Sequence, residues 1–535
     1  MTTASLPRRG RDAALVIAAI AAIFFLLAQL IDFGYGRDQG IYAAVARTIL
    51  RGGAPYRDAW DFKPPGIFFV YALAGVLPGS GVGAIRWLEA ASLLSMVAAF
   101  ALLSRRYVGD ARPGILGGAF AILTHVEFEF WHTAQPESFG AVAVVWAIVA
   151  AAAALDSAGG RRTALWMTSG ALYGAAALLK PTIGIAALAS LSVGLRHAWR
   201  SGGRQRSRRA AAVASTFGAG AAVPLIACLL FFAVRGGLRE MWDAVFVFAP
   251  QYTARGWEVI SALLLVQHLV TDWLFGYSLL NGVGLLLLAV PPHPQGERAG
   301  VRHIGLAVVL MILGVGVQLK LFPYHFGSVL PLTALLAAWG FWKLWLRVRD
   351  RWYGAAGVAA LIVVLAAART ATIHVPDSFA KRCRLRFVEW TDRDQRTAIR
   401  DRLYSVFDFN ARDNRLVEAW LARETPEHAT IFIWGFTPEI YVMANRRPAT
   451  KFIYDVPQRA PWSRDAAREE LMTLLSANPP DVILVEHEDV IPLVTGIGAD
   501  SAYELRGFDA LRSLLASRYQ RVAYVKKFDV YRRTN

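Results

Sequence analysis

Apolar blocks of about 17–25 residues, the length a helix needs to cross a bilayer, recur through the first two thirds of the chain. They fall at 13–31, 84–104, 114–131, 138–155, 163–179, 182–198, 210–234, 274–291, 304–320, 325–346 and 353–370. This pattern predicts about eleven transmembrane helices. Gly66–Pro78 is also apolar but short and bounded by Pro65 and Pro78, which predicts an interfacial or re-entrant helix. From residue 375 onward apolar and polar positions mix as in a globular domain. Thr430–Gly435 and Asp481–Glu486 have the character of buried strands and Lys451–Tyr454 that of a short one. Pro438–Ala444 and Ala466–Ala477 have helical spacing, and Tyr519–Tyr531 predicts a closing hairpin. The expected fold is a polytopic α-helical membrane domain over 1–374 and a small α/β domain over 375–535.

Charge orients this layout. Only 18% of the 535 residues are charged and 55% are hydrophobic, whereas a soluble domain carries about 25% charged residues. A net charge of +17 would point to nucleic acid on a soluble surface. Here the arginines lie in short loops between apolar blocks, so no nucleic-acid partner is expected. With the N-terminus inside, alternate loops hold Arg105 and Arg106, Arg161 and Arg162, the run Arg196–Arg209, Arg298 and Arg302, and Arg347, Arg349 and Arg351. All are then cytoplasmic, beside membrane lipids, as the positive-inside bias requires. Counting Gly66–Pro78 as a full span would turn every one of them outward. The expectation is a multi-pass plasma-membrane protein with a cytoplasmic N-terminus and an extracytoplasmic 375–535 domain. Ala13–Ile31, after Arg8, Arg9 and Arg11, has no clean cleavage site and suits a signal anchor. Cys228 and Cys383 form no disulfide framework.

The same layout gathers Asp38, Asp58, Asp61, Lys63, Glu137, Lys180, Lys320 and His325 on the outer side, where ionisable groups at a membrane boundary often mark a functional site. The densest stretch is the loop Asp32–Gly66. Within it Tyr42–Leu50 has helical spacing, and Asp38 just before it is either an N-cap or a functional carboxylate. Lys63, ahead of Pro64 and Pro65, either snorkels to the interface or serves the site. Glu137, in His132–Gly140, falls where a helix begins, alongside His132 and Gln135. Lys180-Pro181 and the segment Lys320–Pro331, with Tyr324 and His325, mark two further outer turns. A single His with no partner at fixed spacing is weak evidence for a metal. The aromatic stretch Val234–Ser261 suits an interfacial helix.

An outer-loop Asp, a Tyr-containing helix, Gly53-Ala54-Pro55-Tyr56, and an acidic residue near Lys63-Pro64-Pro65 together resemble the GT-C class of membrane glycosyltransferases. Within that class the protein O-mannosyltransferases and bacterial aminoarabinose transferases are most similar. The resemblance covers most of 1–370, and the run 434–454, WGFTPEIYVMANRRPATKFIY, resembles a tail of some bacterial members. It implies inverting transfer of a sugar from a polyprenyl-phosphate donor to an extracytoplasmic glycan, lipid or protein. It casts Asp38 as the base, with Lys63 and Lys320 offsetting phosphate charge and Lys180, Tyr324 and His325 facing the lipid phosphate. Glu137 would orient the acceptor or share a divalent cation with Asp38. Where the family commonly has Asp-Glu this chain has Asp38-Gln39, so Asp58 or Asp61 would replace the second carboxylate. The competing classes are a transporter of lipid-linked sugars, against which the lack of an internal repeat counts, and a non-catalytic homologue.

Overall fold

In the computed structural model, residues 8–77, 82–201, 203–257, 261–368, 377–406 and 409–534 are described. The predicted boundary at 374/375 lies outside them. Helix occupies at least part of each of the eleven predicted intervals. Among the described residues five helices are long and apolar enough to cross a membrane: Arg9–Ile31, Val82–Val108, Pro136–Leu155, Gly203–Arg235 and Gln295–Gln318. Several intervals break, among them the following two. The block at 182–198 begins as a four-residue turn, Pro181–Gly184, before Ala187–Ser201. The block predicted at 274–291 is the second arm of a pair, Ala262–Gly276 and Leu279–Leu288, bent by 92°. Ser278 makes that break, because its Oγ accepts from the Asn281 N–H at 3.2 Å and so starts a new helix. Gly66–Gly75 is a helix of ten residues, about half of a span.

The chain divides into two compact units. The first comprises Met1–Asp32, Arg86–Cys228 and Ile260–Lys381. Its helices pack through small residues, as membrane helices do: a Cβ on Gly340 would lie 2.0 Å from the Gly284 carbonyl oxygen, so these backbones touch. Buried polar groups are matched across helices. Tyr107 Oη meets His303 Nδ1 at 2.9 Å, His303 Nε2 meets Ser190 Oγ at 2.9 Å, and Ser190 meets Tyr173 Oη at 2.8 Å.

The second unit comprises Phe33–Ile85, Leu229–Val259 and Arg382–Asn535. Its sheet runs Arg447–Pro448, Thr430–Trp434, Val482–Glu486, Phe528–Arg533, Tyr519–Val525, with the first three strands parallel and the hairpin antiparallel. Every residue of Val482–Glu486 is buried, as expected of a strand covered on both faces. The predicted strands at 430 and 481 and the closing hairpin are present. Lys451–Tyr454 is not a strand. The edge strand is Arg447–Pro448, and the Lys451 carbonyl and Tyr454 hydroxyl bond instead to Trp60 and Asp61, in the part of the loop from Phe33 onward that belongs to this unit.

Candidate functional site

The first cluster is built on the Asp32–Gly66 loop. Its helix runs Arg37–Leu50, one turn earlier than the spacing predicted, and Gly36 is the N-cap in place of Asp38. The Gly36 N–H donates to Gln39 Oε1 at 3.0 Å. This bond needs only a carbonyl acceptor, so glutamine serves here without a second carboxylate. Asp38 lies in the first turn, near the positive end of the helix dipole. Its Oδ2 accepts from the Lys63 ammonium at 2.9 Å, with the two side chains 22% and 18% exposed. Lys63 also donates to Tyr42 Oη at 2.7 Å and lies 5.0 Å from the Tyr42 ring centroid. Its position is fixed by these partners and by Tyr56, whose hydroxyl donates to the Lys63 carbonyl at 2.7 Å.

The other two carboxylates of the loop have separate tasks. Asp58 Oδ2 accepts from the Ala54 N–H at 2.8 Å and pairs with Arg57 at 2.6 Å, closing the Gly-x-Pro-Tyr turn. Partial burial works against its ionised form, but the Arg57 and Ala54 hydrogen bonds hold its carboxyl below the ordinary range. Asp61 is fully buried, and burial pushes its carboxyl up despite the nearby Lys63 ammonium. It accepts from Tyr454 Oη at 2.7 Å, and its Oδ2 accepts no hydrogen bond among the described residues.

The Asp61–Tyr454 bond is one of several that seat the loop on the run 434–454. Arg37 Nε donates to the Phe436 carbonyl at 2.7 Å, the Trp60 N–H to the Lys451 carbonyl at 2.7 Å, and Arg47 to the Tyr441 carbonyl at 3.3 Å. Trp60 packs edge-on to Phe248 and Tyr454, with centroids 4.9 and 5.6 Å away, and Phe62 lies 4.9 Å from Tyr252. Phe248 and Tyr252 of the aromatic stretch after residue 234 are therefore core for the loop, while Trp242 and Phe246 are exposed. At Gly40 a Cβ would fall 2.6 Å from the Glu439 backbone nitrogen, so only glycine permits this helix-to-helix approach. Tyr454→Phe removes one partner of a buried carboxyl. It is expected to cost about 1–3 kcal/mol, read as a lower melting temperature and faster proteolysis within the loop.

Glu439, at the start of the helix Glu439–Met443, is fully buried, with Asn414 Nδ2 donating to its Oε1 at 2.6 Å. Burial and the neighbouring Glu486 and Glu418 push its carboxyl up to about 8, against the pull of Arg37. The folded chain keeps this proton to about pH 8 while the unfolded chain releases it near 4.5. The folded state then binds more protons between these values, so this contribution to stability falls as pH rises through the window and levels off above it. Glu439→Gln is expected to flatten that slope, which melting temperatures between pH 5 and 9 will show.

The second cluster lies in the other unit. Glu137 sits in the first turn of Pro136–Leu155, only 1% exposed, and pairs with the Lys180 ammonium. The Lys180 nitrogen lies 5.7 Å from the Tyr324 ring centroid. That ring stacks on Phe322 at 5.7 Å, meets the His325 ring edge-on at 4.6 Å, and lies 5.6 Å from His132. Glu137 Oε2 accepts no hydrogen bond among the described residues. Lys320 is half-buried between Leu319 and Leu321, whose φ of 58° and 45° turn the chain sharply into Pro323–Ser328.

Three residues beneath this cluster were not singled out from sequence. Glu89 and Arg86, both 0% exposed, pair at 2.9 Å, and His125 Nε2 meets Glu89 Oε1 at 2.8 Å. Arg86 also donates to Thr133 Oγ1 at 2.8 Å and to the Phe130 carbonyl at 3.3 Å, and Glu89 accepts from the Ala134 N–H. Together they clamp residues 129–135, where Glu129 and Ala134 hold left-handed φ of 61° and 53°, just before Glu137. The spacing Arg86-x-x-Glu89 inside an apolar block was the available signal.

Among the described residues no three His, Cys, Asp or Glu side chains converge as a metal-binding group. Asp38 and Glu137 each already have an ammonium partner, in Lys63 and Lys180.

Comparison with known proteins agrees with this architecture. Residues 62–242 match the family of dolichyl-phosphate-mannose-protein mannosyltransferases. ArnT from Cupriavidus metallidurans in the apo state superimposes with a TM-score of 0.61, at 16% identity, over 97% of this chain and 98% of that one. The same protein bound to undecaprenyl phosphate gives 0.58, again at 16% identity, over 97% of each chain. No curated protein sequence matches. At these identities the likeness shows a shared fold. The expected architecture, apolar helices followed by a small C-terminal α/β domain, is the fold observed, and it is the fold of ArnT.

Proposed function

We propose that this chain is a GT-C glycosyltransferase that moves a sugar from a polyprenyl-phosphate carrier to an acceptor on the extracytoplasmic side of the plasma membrane. Its N-terminus and arginine-rich loops then lie in the cytoplasm, about eleven helices span the bilayer, and the 375–535 domain is outside. The observation that carries this reading is the Asp38–Lys63 pair. A partly exposed carboxylate, held at 2.9 Å from an ammonium, stands at the mouth of a loop fixed from behind by Tyr42, Tyr56 and Tyr454. The fold supports it, since the ArnT protein that shares it has been solved with undecaprenyl phosphate bound.

Sugar transfer needs two opposite charges. The acceptor hydroxyl loses its proton to a base as its oxygen bonds to the anomeric carbon, and the bond from that carbon to the carrier phosphate breaks, leaving a lipid phosphate. Asp38 takes the proton. Lys63 offsets developing phosphate charge, as a compact ammonium does well. In the other unit Lys180, Tyr324, His325 and Lys320 form a basic and aromatic group suited to a phosphate and its sugar, while Glu137 orients the lysine. Asp61 and Asp58 hold the loop through Tyr454 and the Ala54 N–H.

A donor panel tests the reading. Purified protein in nanodiscs is expected to make product from polyprenyl-phosphate sugars and none from nucleotide sugars. Product from nucleotide sugars alone would rule the proposal out.

A further inference from the structure

The first unit holds a further cavity, lined by none of the residues of the two clusters described above. It is an open cleft of about 920 Å³ among Leu279–Leu288, the start of Gln295–Gln318, and Leu330–Val348. That volume is at the upper end of the range for small-molecule sites. Its two ends differ in chemistry. Leu285, Leu288, Val301 and Leu336 form an apolar wall, while His293, Arg298 and Arg302 line the polar end.

The charges at that polar end are unevenly spent. Glu297, the acidic lining residue, is buried and already neutralised: its Oε1 accepts from Lys343 at 3.0 Å and lies 3.2 Å from His293 Nδ1. Lys343 also donates to the Leu288 carbonyl at 3.2 Å, which ties this pair to the cavity wall. Arg298 and Arg302 are exposed and four residues apart, hence on one helix face. Arg302 Nε donates to the Arg298 carbonyl at 3.1 Å, and among the described residues neither guanidinium forms an ion pair. They stand in the first two turns of a 24-residue helix, where free N–H groups and the dipole also favour an anion.

An apolar slot ending in two guanidinium groups at a helix start matches an amphiphile with an anionic phosphate head. We propose that this cavity binds one anionic glycerophospholipid, with its phosphodiester on Arg298 and Arg302 and an acyl chain along Leu285, Leu288 and Leu336. Guanidinium forks suit phosphate oxygens bidentately. A zwitterionic lipid would bring its own cation to the same guanidinium groups and bind less well. Sugar transfer is not required for this site, so it stands or falls independently of the proposed reaction.

The test uses the full-length protein in detergent, stripped of lipid and supplied with phosphatidylglycerol, phosphatidylcholine or inorganic phosphate, with native mass spectrometry counting bound molecules. The expected result is one tightly held phosphatidylglycerol, bound on the order of 10-fold more weakly in Arg298→Ala/Arg302→Ala. The control Arg204→Ala/Arg208→Ala, which removes equal charge from the exposed start of the helix Gly203–Arg235, is expected to bind as the parent does. Leu285→Trp, which fills the slot and keeps every charge, is expected to lose the lipid as well. Equal binding of phosphatidylcholine would overturn the proposal, as would equal losses in the two arginine pairs or unchanged binding in Leu285→Trp. Displacement of the lipid by millimolar inorganic phosphate would reassign the site to a free anion.

Discussion

Asp38→Asn is expected to lower the transfer rate by about 10²–10⁴-fold, the typical contribution of a positioned general base, and to leave carrier binding within a few-fold of the parent. The expectation follows from how little else the change touches. Asparagine has the same size, and the helix start does not depend on it, because Gly36 is the N-cap. Lys63 keeps its 2.7 Å bond to Tyr42, and the loop keeps the Tyr56, Trp60 and Asp61 contacts that seat it. What disappears is the proton acceptor and the charge opposite Lys63. Single-turnover transfer and carrier binding, measured on the same preparation, separate the two effects. Loss of both together would instead make the pair a structural brace.

The largest effect on stability is expected at Glu89. Glu89→Ala leaves the Arg86 guanidinium buried without its carboxylate, and breaking a buried pair in this way costs about 3–5 kcal/mol. It also frees the Ala134 N–H and the His125 ring that Glu89 engages. Residues 129–135 then lose what holds Glu129 and Ala134 in left-handed conformations, each of which costs about 1–3 kcal/mol to maintain. The double change Arg86→Met/Glu89→Ala removes the stranded charge. Its melting temperature is expected to recover most of the loss, while transfer stays low because the stretch before Glu137 remains unclamped. Recovery of both would show that Glu89 acts on stability alone.

Much of this was legible in the sequence because it rests on local signals. Twenty-residue apolar blocks can only be helices in a bilayer, where backbone groups must bond within their own segment. The densest loop announced itself through Asp38, Lys63 and the Gly-x-Pro-Tyr turn. Long-range contacts were not legible. Nothing in the spacing of Asp61 says that Tyr454, almost four hundred residues later, donates a hydrogen bond to it. The interval 451–454 looked like a strand because Phe452 and Ile453 are apolar, yet its backbone serves Trp60. Asp38 looked like a cap because it precedes the periodic stretch, but Gly36 starts the helix and Gln39 closes it. Arg86 and Glu89 were passed over as part of an apolar block. Only the folded chain shows that they face Thr133 and Ala134.

The most direct measurement is a mass balance on proteoliposomes given a polyprenyl-phosphate sugar labelled in both the sugar and the carrier. Free polyprenyl phosphate and glycosylated product are expected to appear in equal amounts, with the anomeric configuration inverted, and both to vanish together in Asp38→Asn. Labelled sugar that crosses the membrane still joined to its carrier, or an Asp38→Asn variant that works at the full rate, would contradict the account.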